Sequence, residues 1–413
     1  MSEEMGEDRA DGTDDTPRDT PREDDAAERE EPAPEIECDY VPPAGVVGID
    51  PEAPIEDIRP AGEEIRPHRH AIPAALGADV YAIVVDGRPE STETPWTIGL
   101  YRFDPAGREL RRVWGDAAGS ATDYNSVCWT GEAFVAALPT SRVGVRVLSM
   151  SAGGTLLRDP VVLGPDAAYA PAGFGQPPVV VCPEGGPFVI DHGHGAGGTD
   201  RLYPLEPDGA YPGGFVDADL PSFSTTAYYA SSPCTVVGAE AACATTRGIV
   251  FVQRDGSSRA SDPVEAPGVC PPGTQCDVAR TADGVAMVWT ALSEVRIGLS
   301  FARIALDGTL AVAPLLVPNV ESALVHGIHA ASSGATVLVS VPNATLPDSN
   351  GKMKFYVFDT SGAQLAAPLE TEAGDRSTAP LFWDCDAYAA LWIPEGWRPT
   401  GTMTYRRFRL VGP

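Results

Sequence analysis

The residues in this chain best suited to chemistry are its six histidines, which fall in three close pairs: His68 and His70, His192 and His194, His326 and His329. An imidazole can shuttle a proton near neutral pH or ligate a metal. Two imidazoles two residues apart on an extended chain point to the same side and can share an ion. His192-Gly-His194 sits in the segment Asp191-His-Gly-His-Gly-Ala-Gly-Gly198, where Asp191 or Asp200 could supply a third ligand. Against that, no carboxylate–histidine spacing here matches a known metal motif, and a glycine-rich surface loop accounts for the segment equally well. We therefore expect no metal and no cofactor, with His192, His194 and Asp191 as the only candidates. Gly-x-Ser-x-Gly, His-Glu-x-x-His and the phosphate-binding loop are absent, and Asp217-Ala-Asp219 lacks the loop of a calcium site. No catalytic residue can be assigned. The tryptophans Trp96, Trp114, Trp129, Trp289, Trp383, Trp392 and Trp397 could stack on a sugar but more commonly fill a core.

The scaffold that must position these groups is written as a repeat. A short glycine-centred turn followed by an apolar run recurs about every 50 residues, a period that indicates stacked β units. The first turns fall at Gly77, Gly131, Gly186, Gly238, Gly284, Gly334 and, with Asp in place of Gly, Asp386. Second turns fall at Gly107, Gly154, Gly209, Gly256, Gly308 and Gly362. We label the strands of each unit a to d. The b runs, such as Ala335-Thr-Val-Leu-Val-Ser-Val341, are continuously apolar, as expected of strands buried on both faces. The c runs alternate, and several end in Asp-Gly, a hairpin signal in which both residues tolerate φ > 0. The runs after these turns contain Pro, which confines them to an outer edge and blunts edge-to-edge pairing. The seventh unit stops at Pro413 without a fourth strand. The segment Ala44–Asp50 could supply it and tie the two ends of the chain together.

This pattern resembles four-stranded β-propeller repeats over residues 44–413. The resemblance is generic: the Trp-Asp signature, a recurring Gly-Gly pair and the Asp-box are all missing. The Asp-Gly turns are similar to those of secreted, often lipid-anchored, bacterial propellers. The resemblance implies an all-β, seven-bladed β-propeller whose last blade is closed by an N-terminal strand. In such a ring the a strands line an axial channel. His68, His70, His326 and His329 lie near the starts of a strands in units 1 and 6 and are the candidate channel or ligand residues.

Eight cysteines, an even number, fit a disulfide framework. The strand map pairs Cys234 with Cys243 across an a–b hairpin, Cys270 with Cys276 around a short loop, and Cys128 with Cys182 on neighbouring a strands. Cys38 and Cys385 remain, and a bond between them would lock the ring. Paired cysteines imply an oxidising compartment. The sequence opens Met-Ser-Glu-Glu, without a basic or apolar leader, so an extracytoplasmic location requires an export segment upstream of Met1.

Net charge is −29, and Met1–Glu37 holds 16 Asp or Glu against 4 Arg. Residues 1–43 have too little apolar content to offset the entropy of ordering and are expected to form a disordered acidic tail or spacer. Such a charge excludes nucleic acid as a partner, since phosphate binding needs clustered Lys and Arg. No apolar run is long enough to cross a membrane as a helix. The expectation is a monomeric, non-catalytic binding or scaffold module for a protein or carbohydrate. The alternative is a propeller hydrolase or lyase acting on polysaccharide through channel-facing histidines and carboxylates.

Overall fold

The computed structural model describes residues 43, 45–58, 66–76, 80–88, 97–116, 126–140, 144–164, 178–191, 200–220, 234–265, 269–270, 276–292, 297–317, 328–343, 352–372, 379–392 and 402–413. The described residues contain strands but no helix, and the strands form seven antiparallel sheets. The chain is a seven-bladed β-propeller. Blade 1 comprises Arg66–Leu76, Val80–Arg88, Thr97–Asp104 and Glu109–Asp116. Blade 2 comprises Ser126–Trp129, Phe134–Thr140, Gly144–Met150 and Val161–Leu163. Blade 3 is Val179–Val181, Phe188–Asp191, Asp200–Pro204 and Val216–Ala218; blade 4 is Cys234–Val237, Glu240–Thr245, Gly248–Gln253 and Ser258–Ala260. Blade 5 is Cys276–Thr281, Gly284–Leu292, Ile297–Ala305 and Leu310–Val317; blade 6 is His329–Ser332, Thr336–Asn343, Lys352–Asp359 and Leu369–Glu372.

Blade 7 draws on both ends of the described chain. Its strands Leu381–Trp383, Tyr388–Trp392 and Met403–Val411 are completed at the outer edge by Gly48–Pro51, from Gly48 opposite Val411 to Pro51 opposite Phe408. A further short strand, Ile55–Ile58, continues along Met403–Val411, with a register shift between Ile55 and Ile58. The a strands of successive blades touch one another all the way round, and the a strand of blade 7 touches that of blade 1. The ring is therefore closed.

Apolar side chains explain why the b strands read as unbroken hydrophobic runs. Each blade sends one face of its sheet toward the preceding blade and the other toward the next. Between blades 5 and 6 the shared core holds Val288, Phe301, Val339 and Phe358. Between blades 7 and 1 it holds Phe103, Leu391 and Tyr405, with Phe103 and Tyr405 edge to face at 5.4 Å. Both faces of a b strand are thus taken out of water.

Five of the six second turns show what their glycines are for; in blade 1 the left-handed residue is Arg108, at φ 53°, and not Gly107. Gly209 donates its N–H to Glu206 O, and Glu206 donates to Ala210 O, which makes a three-residue loop with the glycine last. Gly154, Gly256, Gly308 and Gly362 repeat this geometry, all at φ between 80° and 93°. This is a type I turn closed by a left-handed residue, not a two-residue hairpin. The preceding aspartate does not adopt φ > 0, contrary to the sequence expectation. Its carboxylate instead accepts a backbone N–H two residues on, Ala210 to Asp208 at 3.0 Å and Ser257 to Asp255 at 2.9 Å. A Cβ on Gly209 would also lie 2.6 Å from Ser149 Cβ of blade 2, so the turn can seat on its neighbour only without a side chain.

Two first-turn assignments shift. In blade 7 the left-handed residue is Cys385, at φ 70°, and not Asp386. Asp384 donates its N–H to Ala387 O, so Cys385 takes the place that Gly131, Gly238 and Gly334 hold elsewhere. In blade 5, Gly284 begins strand b. Its Cβ would fall 2.2 Å from Ile304 O, so glycine is required there by the approach of strand c, not by a turn.

Three disulfides are present among the described residues: Cys128–Cys182 between blades 2 and 3, Cys234–Cys243 within blade 4, and Cys270–Cys276 at the entry to blade 5. Cys234 and Cys243 are direct cross-strand partners. Cys385 is also disulfide-bonded. The expected bridge to Cys38 lies outside the described residues, as does nearly all of the acidic segment 1–43.

Candidate functional site at the inner ring

Antiparallel strands place the a–b and c–d turns at one end of the ring and the b–c and d–a connections at the other. The turn end is tied together. Arg111 of blade 1 donates to Gly153 O of blade 2 at 2.8 Å, Arg158 of blade 2 pairs with Asp208 of blade 3, and Arg259 of blade 4 donates to Leu306 O of blade 5 at 2.9 Å. Tyr388 of blade 7 donates to Thr336 O of blade 6 at 2.7 Å, and its hydroxyl accepts the Ser333 N–H at 3.1 Å. Groups spent on such bonds are scaffold. At the opposite end the described strands break off into their b–c and d–a connections, whose residues lie largely outside the described set.

At that opposite end, the inner ring brings one carboxylate and one imidazole together. Asp277 is the second residue of strand a in blade 5, and His329 is the first of strand a in blade 6. His329 Nδ1 lies 3.9 Å from Asp277 Oδ2, and both side chains are under one-tenth exposed. Asp277 Oδ1 accepts the Val278 N–H at 2.8 Å, and Oδ2 accepts the Ala330 N–H of the next blade at 2.8 Å. His329 Nε2 is buried without a hydrogen-bond partner. Burial pushes the Asp277 carboxyl up to about 8 despite the two backbone donors. Burial alone pushes the His329 imidazole down to about 3. The favoured state is an uncharged acid beside an uncharged ring.

The other candidates are distributed differently. His68 and His70 lie on strand a of blade 1, and their side chains are outside the described set. His192, His194 and His326 are outside it altogether. Asp191 ends strand b of blade 3 and Asp200 begins strand c, both largely buried, so they flank the His192–His194 segment in the chain. Among the described residues, no group of three or more His, Cys, Asp or Glu is arranged to hold a metal. Trp289 is fully buried between blades 4 and 5, Trp129 packs on Phe134 at 4.7 Å, and Trp383 packs on Tyr388 at 4.7 Å. These tryptophans act as core. Trp96 and Trp397 lie outside the described residues.

Asp277 is the residue that sequence reasoning missed. The available signal was register. Counted back from the residue that closes the a–b turn, Asp277 and His329 occupy the same position in successive blades, as Ser126 does in blade 2.

No family profile and no curated protein matches this chain. Solved structures do share its chain path. One is a subtype N11 neuraminidase-like protein of A/flat-faced bat/Peru/033/2010, 12% identical over 90% of this chain and 96% of that one, TM-score 0.41. A second is a Penicillium chrysogenum α-L-arabinanase complexed with arabinobiose, 8% identical over 87% and 99%, TM-score 0.45. A third is the Neurospora crassa Pan2 WD40 domain, 11% identical over 83% and 89%, TM-score 0.46. Likeness at this level has no bearing on activity, and the propeller assignment rests on the seven sheets and the closed inner ring.

Proposed function

We propose that this chain is a non-catalytic extracytoplasmic binding module that recognises a protein or carbohydrate through the end of the ring opposite the glycine turns. The observation that carries the reading is the state of the Asp277–His329 pair. A general acid–base couple must reach a substrate and exchange its proton with it. Here both groups are buried, and both carboxylate oxygens are occupied by backbone N–H donors of the scaffold. The contrast between the two ends supports the same view: one is closed by short turns bonded blade to blade, and from the other the strands lead into stretches of sequence that are mostly longer, and function usually resides in such loops.

Three disulfides, in a chain where no described helix is long and apolar enough to cross a membrane, support an oxidising location outside the cytoplasm. Residues 1–43 then act as an acidic spacer between the ring, residues 44–413, and an anchoring surface, and the ring works as a monomer.

The test is a paired assay on one preparation. The full chain is screened on a glycan and peptide array and, in parallel, incubated with a polysaccharide panel while release of reducing or unsaturated ends is followed. Binding without product is expected. Turnover that disappears in His70→Ala or His326→Ala would replace this reading with the polysaccharide hydrolase or lyase.

A further inference from the structure

An innermost strand has a free edge, and N–H groups on that edge need acceptors from elsewhere. Among the described residues, two blades meet the need with the same device. In blade 2, Ser126 Oγ accepts the Val180 N–H of blade 3 at 2.6 Å. In blade 5, Asp277 Oδ2 accepts the Ala330 N–H of blade 6 at 2.8 Å. Ser126 and Asp277 sit at equivalent register positions, four residues before the turn-closing Thr130 and Thr281. A neutral hydroxyl therefore suffices as the cap. Blade 5 uses a carboxyl group in its place, and the equivalent position of the next strand is the histidine 3.9 Å away.

We propose that Asp277 and His329 hold one proton between them at the seam of blades 5 and 6, and that loss of this proton in mildly alkaline solution loosens the inner ring at that seam. A lone ionised carboxylate in so dry a place is costly, whereas the acid beside a neutral imidazole carries no net charge. Among the described residues, the strands packed against the pair bring no charge to it. Strand b of blade 5, strand b of blade 6 and strand a of blade 7 carry no ionisable side chain. Glu240, on strand b of blade 4, is held by Arg259 at 2.6 Å. Arg280 lies toward the turn end of strand a and is exposed. Among the described residues neither acts on Asp277 or His329, whose protonation is shifted by burial and, for Asp277, by its backbone bonds.

The direction of the effect comes from counting protons. In the unfolded chain Asp277 titrates near 3.8 and His329 near 6.5; in the ring the values move to about 8 and about 3. The raised carboxyl stabilises the fold below 3.8, and that contribution is lost as pH rises through 8. The lowered imidazole stabilises above 6.5, and that contribution is lost as pH falls toward 3. Between 3.8 and 6.5 both states bind one proton and the pair is indifferent to pH. From 6.5 to 8 the ring holds a proton that the unfolded chain does not, so stability falls as pH rises.

Amide hydrogen exchange on the wild-type chain tests this with an internal control. Protection of the Ala330 N–H, corrected for intrinsic base catalysis, should drop about tenfold between pH 6.5 and 8.5 relative to the Val180 N–H, whose serine cap does not titrate in that range. The variant Asp277→Ser, which copies the cap of blade 2, should abolish that difference. Equal pH trends at Ala330 and Val180 in the wild type would overturn the proposal, and this comparison decides the matter alone if Asp277→Ser does not fold. A folded Asp277→Ser that keeps the alkaline drop would overturn it equally.

Discussion

Blades 4 and 7 have the same four-strand plan and are held together in opposite ways. Blade 4 is one continuous stretch, Cys234–Ala260, whose hairpins close over two- and three-residue loops and whose inner pair is cystine-linked. Its closest ion pair is local: Arg259 binds Glu240 across the sheet at 2.6 and 3.0 Å and lies over the Phe251 ring at 3.8 Å, while Arg254 reaches Glu206 of blade 3 only at 3.8 Å. Blade 7 must join parts from opposite ends of the chain. There Arg407 donates to the fully buried Asp384 at 2.9 and 3.2 Å, to Asp386 at 2.9 Å, and pairs with Glu52 at 3.5 Å. Arg409 bonds Glu52 over a separation of 357 residues. A contiguous blade closes on short loops at small entropic cost, whereas the closing blade brings distant segments together and is fixed by converging charges.

The largest effect should come from removing the centre of that network. Arg407→Met takes the cationic partner from Asp384, a side chain with no exposure whose Oδ1 still accepts the Asp386 and Ala387 N–H groups, and should cost about 3 kcal/mol, the lower end of the range for breaking a buried ion pair from one side. Arg259→Met in blade 4 leaves Glu240 partly open to water and should cost about 1–2 kcal/mol. Denaturant midpoints of both variants give the comparison directly. Equal losses would mean that the closing seam is no more dependent on charge than an interior one.

The disulfides sharpen the same contrast between local and long-range fixing. Cys128–Cys182 spans 54 residues and ties two blades, whereas Cys234–Cys243 spans 9 within one hairpin. Loop-closure entropy assigns them about 4 and about 2.5 kcal/mol respectively. Replacing each pair by Ala and Ser and measuring thermal midpoints should show the inter-blade bond as the more important. The reverse order would show that the register of blade 4 depends on its cystine more than on its turns.

Legibility in the residues divides along the same line. Local signals are readable. Apolar runs between glycine turns mark the strands, and the missing fourth strand of unit 7 points to a donor among residues 44–50. Cys234 and Cys243 can be placed opposite each other because only a short turn separates them. Errors arise where one residue type serves two purposes. Asp-Gly reads as two residues with φ > 0, while the structure uses the aspartate as a hydrogen-bond acceptor. Asp386 reads as the turn residue because cysteine rarely adopts a left-handed backbone, yet Cys385 does. Anything requiring register between blades stays hidden. Asp277 opposite Ala330, or Arg407 between Asp384 and Glu52, depends on how separate sheets stack, and no local pattern encodes that.

The smallest effect concerns the turns that blades 2 to 6 share, and it separates two reasons for a glycine. Gly131, in the a–b turn of blade 2, has φ 99° and open space where a Cβ would stand. Gly209, in the c–d turn of blade 3, has φ 79°, and its Cβ would lie 2.6 Å from Ser149 Cβ and 3.0 Å from Val135 Cγ2. Gly131→Ala therefore incurs only backbone strain, about 1 kcal/mol. Gly209→Ala adds a clash with the blade before it, and about 2–3 kcal/mol is expected. If urea midpoints place the two variants together, the c–d turns are not seated against their neighbours as tightly as the geometry has them. A clear gap would make the approach of one blade to the next, beyond the left-handed turn itself, the reason these glycines recur.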